Sequence, residues 1–113
     1  MNEILHDDEI VSSKIVNFNE ILSFQIAQDY HNLRTIISIT FSHKNTQAKL
    51  EMFDVLYCIL PEFGRPFLAF SELRFENITS RQMEGVRYIL YDETLNDIQI
   101  LFKSATLTYN CNS

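Results

Sequence analysis

The sequence predicts a mainly β fold, about seven antiparallel strands in a curved sheet or partial barrel, with at most a short helical turn. Three observations predict it. Ile, Val and Thr number 24 and are joined by nine Phe and five Tyr; branched and aromatic side chains suit a pleated, half-buried surface. Ala, the best helix former, occurs only four times. Apolar residues recur at every second position along most of the chain, which is the period of a strand.

Taken in order, Ile10 to Phe18 is the first expected strand. Leu22, Phe24 and Ile26 alternate with Ser23, Gln25 and Ala27 in a second, and Asp29-Tyr30-His31-Asn32 reads as the turn after it. Ile37, Ile39 and Phe41 alternate with Ser38, Thr40 and Ser42 in a third, closed by His43-Lys44-Asn45. Ala48, Leu50 and Met52 alternate with Lys49 and Glu51, after which Phe53 to Leu60 turns almost wholly apolar. That change predicts a strand passing from half-exposed to buried, or bending through a bulge near Asp54.

Pro61 to Pro66 holds both prolines and one of the two glycines, and reads as a loop. Leu73 to Ile78 is the next strand. Thr79 with Gln82 three residues on has the spacing of a capping box for one short helical turn, and Gly85 ends it. The last third predicts a hairpin, Val86–Tyr91 paired with Ile98–Phe102, turning at 92–97. Tyr88 and Leu90 are then expected in the core beside Ile98, Ile100 and Phe102. The apolar phase next shifts from Phe102 to Ala105, Leu107 and Tyr109, which predicts a bulge near Lys103-Ser104.

A chain of 113 residues has room for one domain, 1–113, with a single core. Its formal net charge of −6 argues against a phosphate-tracking surface, so no nucleic acid is expected. No run approaches the roughly 18 apolar residues of a membrane helix, and the acidic start is unlike a secretory signal. Cys58 and Cys111 lie far apart without metal-type spacing; Cys58 reads as a buried thiol and Cys111 as part of a frayed tail. A reduced, cytoplasmic protein without a cofactor is the expectation.

Chemistry-bearing motifs are scarce. His6-Asp7-Asp8-Glu9 gathers four potential ligands, but consecutive strand residues point to opposite faces, so a solvated acidic start is the better reading. His31 and His43 fall in expected turns, and no serine sits in a Gly-x-Ser-x-Gly elbow. The expectation is not an enzyme but a binding module. Glu84, Asp92, Glu93 and Asp97 lie around the final hairpin with Tyr88 and Tyr91 interleaved, and these six are the candidate partner-binding residues. Carboxylates would steer a basic partner and tyrosines would supply contact area. The plainer alternative is a solvated hairpin whose tyrosines pack on neighbouring strands.

The stretch Ile78-Thr79-Ser80-Arg81-Gln82-Met83-Glu84-Gly85-Val86-Arg87-Tyr88-Ile89-Leu90-Tyr91-Asp92-Glu93, with Ile98 to Ala105 after it, resembles the C-terminal half of a group of small bacterial proteins. Leu5-His6-Asp7 with Ile10 resembles their start. Some of that group are similar to immunity proteins encoded beside polymorphic toxins. Here Leu101-Phe102-Lys103 lacks a Cys common in the group, and Met83 stands where an aromatic is frequent. The resemblance implies a protein that neutralises a toxin domain by occlusion, with a basic toxin suiting the net charge. It also implies a structural role for Arg81, paired to a carboxylate, and for Gln82, closing the capping box. The rival expectations are a carrier enclosing a small apolar ligand in a cavity of several hundred Å³, and a structural subunit or homodimer pairing through a sheet edge.

Overall fold

The two places where the hydrophobic alternation changes phase, near Asp54 and near Lys103, are where the chain passes from one sheet to another. In the computed structural model, which describes residues 2–11, 20–43, 46–60, 73–92 and 98–111, nine strands form two antiparallel sheets. The strands are β1 (Asn2–His6), β2 (Glu20–Asp29), β3 (Arg34–His43), β4 (Thr46–Phe53), β5 (Tyr57–Ile59), β6 (Leu73–Asn77), β7 (Tyr88–Asp92), β8 (Gln99–Phe102) and β9 (Ser104–Cys111). A five-stranded sheet runs β1-β9-β4-β3-β2 and a four-stranded sheet runs β5-β8-β7-β6. The fold class is the one expected, but the strands divide between two sheets and neither closes into a barrel.

Strands β4 and β9 pair in the first sheet, from Thr46 opposite Cys111 to Phe53 opposite Ser104. The continuations β5 and β8 pair in the second, with Cys58 opposite Ile100. Both strands of this ribbon turn the corner together. Asp54 takes a left-handed backbone at φ 55°, Lys103 N–H donates to the Phe53 carbonyl at 3.1 Å, and Leu56 N–H donates to Leu101 at 2.9 Å. A single extra residue at such a corner sends the following side chains to the other face, which the sequence registers as a phase change. Cys111 therefore belongs to a paired strand and not to a frayed tail.

The core lies between the sheets. Paired residues share a face, so the register names it directly. Ile37, Ile39 and Phe41, with Ala48, Leu50, Met52, Ala105 and Leu107, point inward from one sheet. Leu73, Phe75, Tyr88, Leu90, Ile98, Ile100 and Phe102 meet them from the other. Tyr88 pairs with Phe102 and Leu90 with Ile100, the register expected for the final hairpin. The rings of Phe75, Tyr88 and Phe102 form a cluster with centroids 5.4–6.0 Å apart, a spacing at which aromatic pairs attract beyond their area alone.

The N-terminus differs most from expectation. The first strand is β1, ahead of Ile10, and Ile10 itself sits buried in a four-residue helix, α1 (Asp8–Val11). Residues 12–18 of the expected strand lie outside the described residues, as do the 61–66 loop and the 93–97 turn. Asp7 adopts φ 43° and clamps Ala105 twice, its N–H donating at 3.1 Å and its Oδ1 accepting at 2.9 Å. Asp8 Oδ1 accepts from Asn77 Nδ2 at 2.8 Å and from Tyr88 Oη at 3.0 Å. The acidic start is thus a staple between the two sheets.

The helical turn is a 3-10 segment, Thr79–Arg81, but Gln82 does not close a capping box. Asn77 Oδ1 accepts from both Thr79 N–H and Thr79 Oγ1, while Gln82 ends the turn at φ 53°. Among the described residues no carboxylate pairs with Arg81.

Candidate functional site

Alternation on β5, β7 and β8 puts one half of their side chains in the core and the other half on the outer face of the four-stranded sheet. Tyr57, Leu101, Ile89 and Glu76 form one row across that face, and Ile59, Gln99, Tyr91 and Arg74 form the next. Five of these eight are apolar or aromatic. The segment from Ile78 to Arg87 folds over part of them, held at its base by Ile78 N–H donating to the Arg87 carbonyl at 2.8 Å. Ile78, Val86 and Ile89 make a small buried cluster there, with Tyr91 and Leu101 packed against it.

The cover is incomplete. Leu56 is 65% exposed, Tyr57 50%, Ile59 41% and Met83 42%. Gly85, at φ 76°, sits beside Leu56: a Cβ placed there would lie 3.8 Å from Leu56 Cδ1. Leu56 and Tyr57 also border an open groove of about 240 Å³ on the side where the two sheets fail to close, lined further by Ile26, Thr35, Ile37, Val55 and Cys58. Burial pushes the Cys58 thiol pKa up, so it is a poorer nucleophile than a free cysteine. A second depression of about 260 Å³ lies by Tyr30, Leu33 and Arg34. Both open to solvent, unlike an enclosed carrier cavity.

Of the six residues expected to meet a partner, the four that are described separate in space. Tyr88 and Asp92 are both 0% exposed, so neither offers a surface; each sits on the inward-facing side of β7. For Tyr88 the plainer reading of packing on neighbouring strands is the right one. Burial and the Asp8 carboxylate together push its phenol pKa up to about 12. Tyr91 is half-buried on the outer face, its hydroxyl donating to Glu76 at 2.5 Å. Glu84 is exposed on the covering segment. Glu93 and Asp97 lie outside the described residues.

The local charge is mixed, because Arg74, Arg81 and Arg87 stand among Glu76 and Glu84. Exposed Leu56, Tyr57, Ile59 and Met83 are the residues that sequence reasoning missed. The signal was present in Val55 to Leu60, where apolar residues occupy both parities of a strand only three residues long.

Among the described residues, no three His, Cys, Asp or Glu side chains converge as a metal site, and no helix is long and apolar enough to cross a membrane. Comparison with family models, curated proteins and solved structures gives no match to this chain.

Proposed function

We propose that this chain is a protein-binding module that uses the outer face of the four-stranded sheet, and that it acts as an immunity protein by occluding a toxin domain. The observation carrying the binding reading is the exposure of Tyr57 and Ile59, which share the outer face of β5, together with exposed Leu56 beside Gly85 and exposed Met83 on the covering segment. Contiguous exposed apolar groups rimmed by charge are the usual mark of a contact surface. Tyr57 is the natural anchor, since a tyrosine supplies large contact area at little entropic cost. The resemblance of residues 78–105 and of Leu5-His6-Asp7 to immunity-like proteins supports the narrower reading, and occlusion requires neither cofactor nor catalytic group.

The test is co-expression with a toxin domain encoded beside the gene, followed by co-purification and a growth assay. The expected result is a stoichiometric complex and protected growth, both lost in a Tyr57→Ala, Ile59→Lys double variant that folds normally. A complex indifferent to that double variant would move the contact elsewhere, and absence of any complex would remove the immunity reading.

A further inference from the structure

Among the described residues each sheet leaves two strands with an unpaired edge, and three of these four edges are guarded. Strand β5 is only three residues long, β6 carries Arg74 and Glu76, and β1 is five residues long and ends on His6. Short strands and charged edges are the usual devices that prevent one sheet from adding to another. Strand β2 differs. It is ten residues long, its only charges are Glu20 and Asp29 at the two ends, and it contains neither lysine nor proline. A bulge between Ile21 and Ser23 leaves Ser23 to Gln28 as a regular, uncharged edge.

The inner face of that edge lacks a cover. Ile26 stands opposite Ile37, which is 1% exposed, yet Ile26 itself is 56% exposed. Among the described residues no strand lies beyond β2.

Charge decides which strand would fit. Nothing between Ser23 and Gln28 attracts a cationic segment. Asp29, the acid that follows Gln28 in the strand, already accepts from Asn32 Nδ2 at 2.8 Å and from the His31 N–H at 3.1 Å, and lies 3.7 Å from Arg34 Nε. An uncharged strand with apolar residues on one face is required, and the chain carries one in β2 itself.

We propose that β2 pairs antiparallel with β2 of a second copy about a twofold axis at Gln25, joining two five-stranded sheets into one continuous sheet. In this register Phe24 lies opposite the second copy's Ile26, Ser23 opposite its Ala27, and Gln25 opposite its Gln25. The inward-facing Phe24 and Ile26 of each copy then cover those of the other, and no acid meets an acid within the paired stretch despite the net charge of −6 on each chain. A twofold contact of this kind is self-limiting, because pairing consumes the edge on both copies.

The experiment needs only the protein alone, so it is independent of any toxin. Sedimentation equilibrium of the wild type from micromolar to millimolar concentration is expected to show a species of twice 13.3 kDa. Gln25→Glu and Gln25→Lys each put like charges directly opposite one another, and each should weaken the dimer about tenfold or more at low salt. An equimolar mixture of the two variants should restore it. Circular dichroism confirms that each variant is folded. A wild type that stays at 13.3 kDa throughout, a dimer indifferent to both variants, or a mixture that fails to recover would each overturn the proposal.

Discussion

The outer faces of the two sheets are built from the same strand period and differ most at their centres. On the five-stranded sheet the outward positions of three adjacent strands read Ser38 and Thr40, then Lys49 and Glu51, then Thr106 and Thr108. On the four-stranded sheet the outward positions read Tyr57 and Ile59, then Leu101, then Ile89 and Tyr91. Both inner faces are apolar because both line the core. Water therefore accounts for the centre of the first outer face, with exposed Ile4 on β1 and the Ile36–Phe53 pair near the corner as its apolar exceptions. The second carries apolar surface at its centre that folding leaves only partly covered. The difference teaches that one sheet is finished mostly by solvent and the other by the Ile78–Arg87 segment, which leaves Tyr57 and Ile59 exposed.

The comparison breaks most completely in the shared core. Phe102 packs against Tyr88 and Phe75 at the level where the chain crosses between sheets. Phe102→Ala should lower stability by about 3–5 kcal/mol, a large part of the total for a domain of this size. Chemical denaturation checks it, and both sheets should unfold in one transition. A loss below about 1 kcal/mol would remove Phe102 from the core.

The outer faces come next. Tyr57→Ala should cost about 2 kcal/mol or more in affinity for a partner while leaving the fold intact. Thr40→Ala and Thr108→Ala, at matching positions on the other sheet, should change affinity by less than about 0.5 kcal/mol. Calorimetric titration of all three variants against one partner sharpens the contrast, and equal losses would dissolve it.

A smaller effect is expected at the staple. Asp7→Ala leaves the Ala105 N–H without its side-chain acceptor and should cost about 1–2 kcal/mol in thermal or chemical denaturation.

The pH dependence is smaller still and acts at both extremes. The Asn77 side chain, followed by the Tyr88 hydroxyl, holds the Asp8 carboxyl below the usual carboxylate range. A carboxyl with a depressed folded-state pKa contributes stability above the unfolded value, and that contribution is lost as pH falls through the folded one. Tyr88 has the opposite sign: its folded pKa of about 12 exceeds the ordinary 10.0, so its contribution is complete below pH 10 and fades as pH rises toward 12. Phenolate absorbance should show one tyrosine titrating late in the wild type and earlier in Asp8→Ala. A Tyr88 titration unchanged by that substitution would show that the hydrogen bond does not hold the phenol.

Much of the fold was legible where one face of a strand meets the core and the other meets water. The third and fourth strands and the final hairpin show this: Ile37, Ile39 and Phe41, and Tyr88, Leu90, Ile98, Ile100 and Phe102, carry clean alternation and fold as that alternation dictates, whereas Val86 precedes the strand and joins Ile78 and Ile89 in the outer cluster. The division into two sheets was less legible. The phase changes at Asp54 and Lys103 mark a local slip, and only the long-range pairing of Phe53 with Ser104 shows that both slips form one corner. The role of Asp7 and Asp8 was hidden for the same reason, since their partners Ala105, Asn77 and Tyr88 are distant in sequence.

For the site, composition pointed to acids and tyrosines near one hairpin, and strand parity then placed Tyr88 and Asp92 inside. Tyr91 and Glu84 keep the hairpin's outer side in view. Leu56, Tyr57, Ile59 and Met83 were concealed because an apolar run ordinarily signals burial, and which half of it stays outside depends on the strand's neighbours.

The central claim is that the outer face of the four-stranded sheet makes the contact. Hydroxyl-radical footprinting of the free protein and of its complex with a cognate toxin domain tests it most directly, because Met83 and Tyr57 are both exposed and readily oxidised. The account predicts that binding sharply reduces modification at Met83, Tyr57 and Leu56, while modification at Leu22 on β2 is unchanged. Protection confined to the five-stranded sheet, with Met83 and Tyr57 modified as in the free protein, would contradict it.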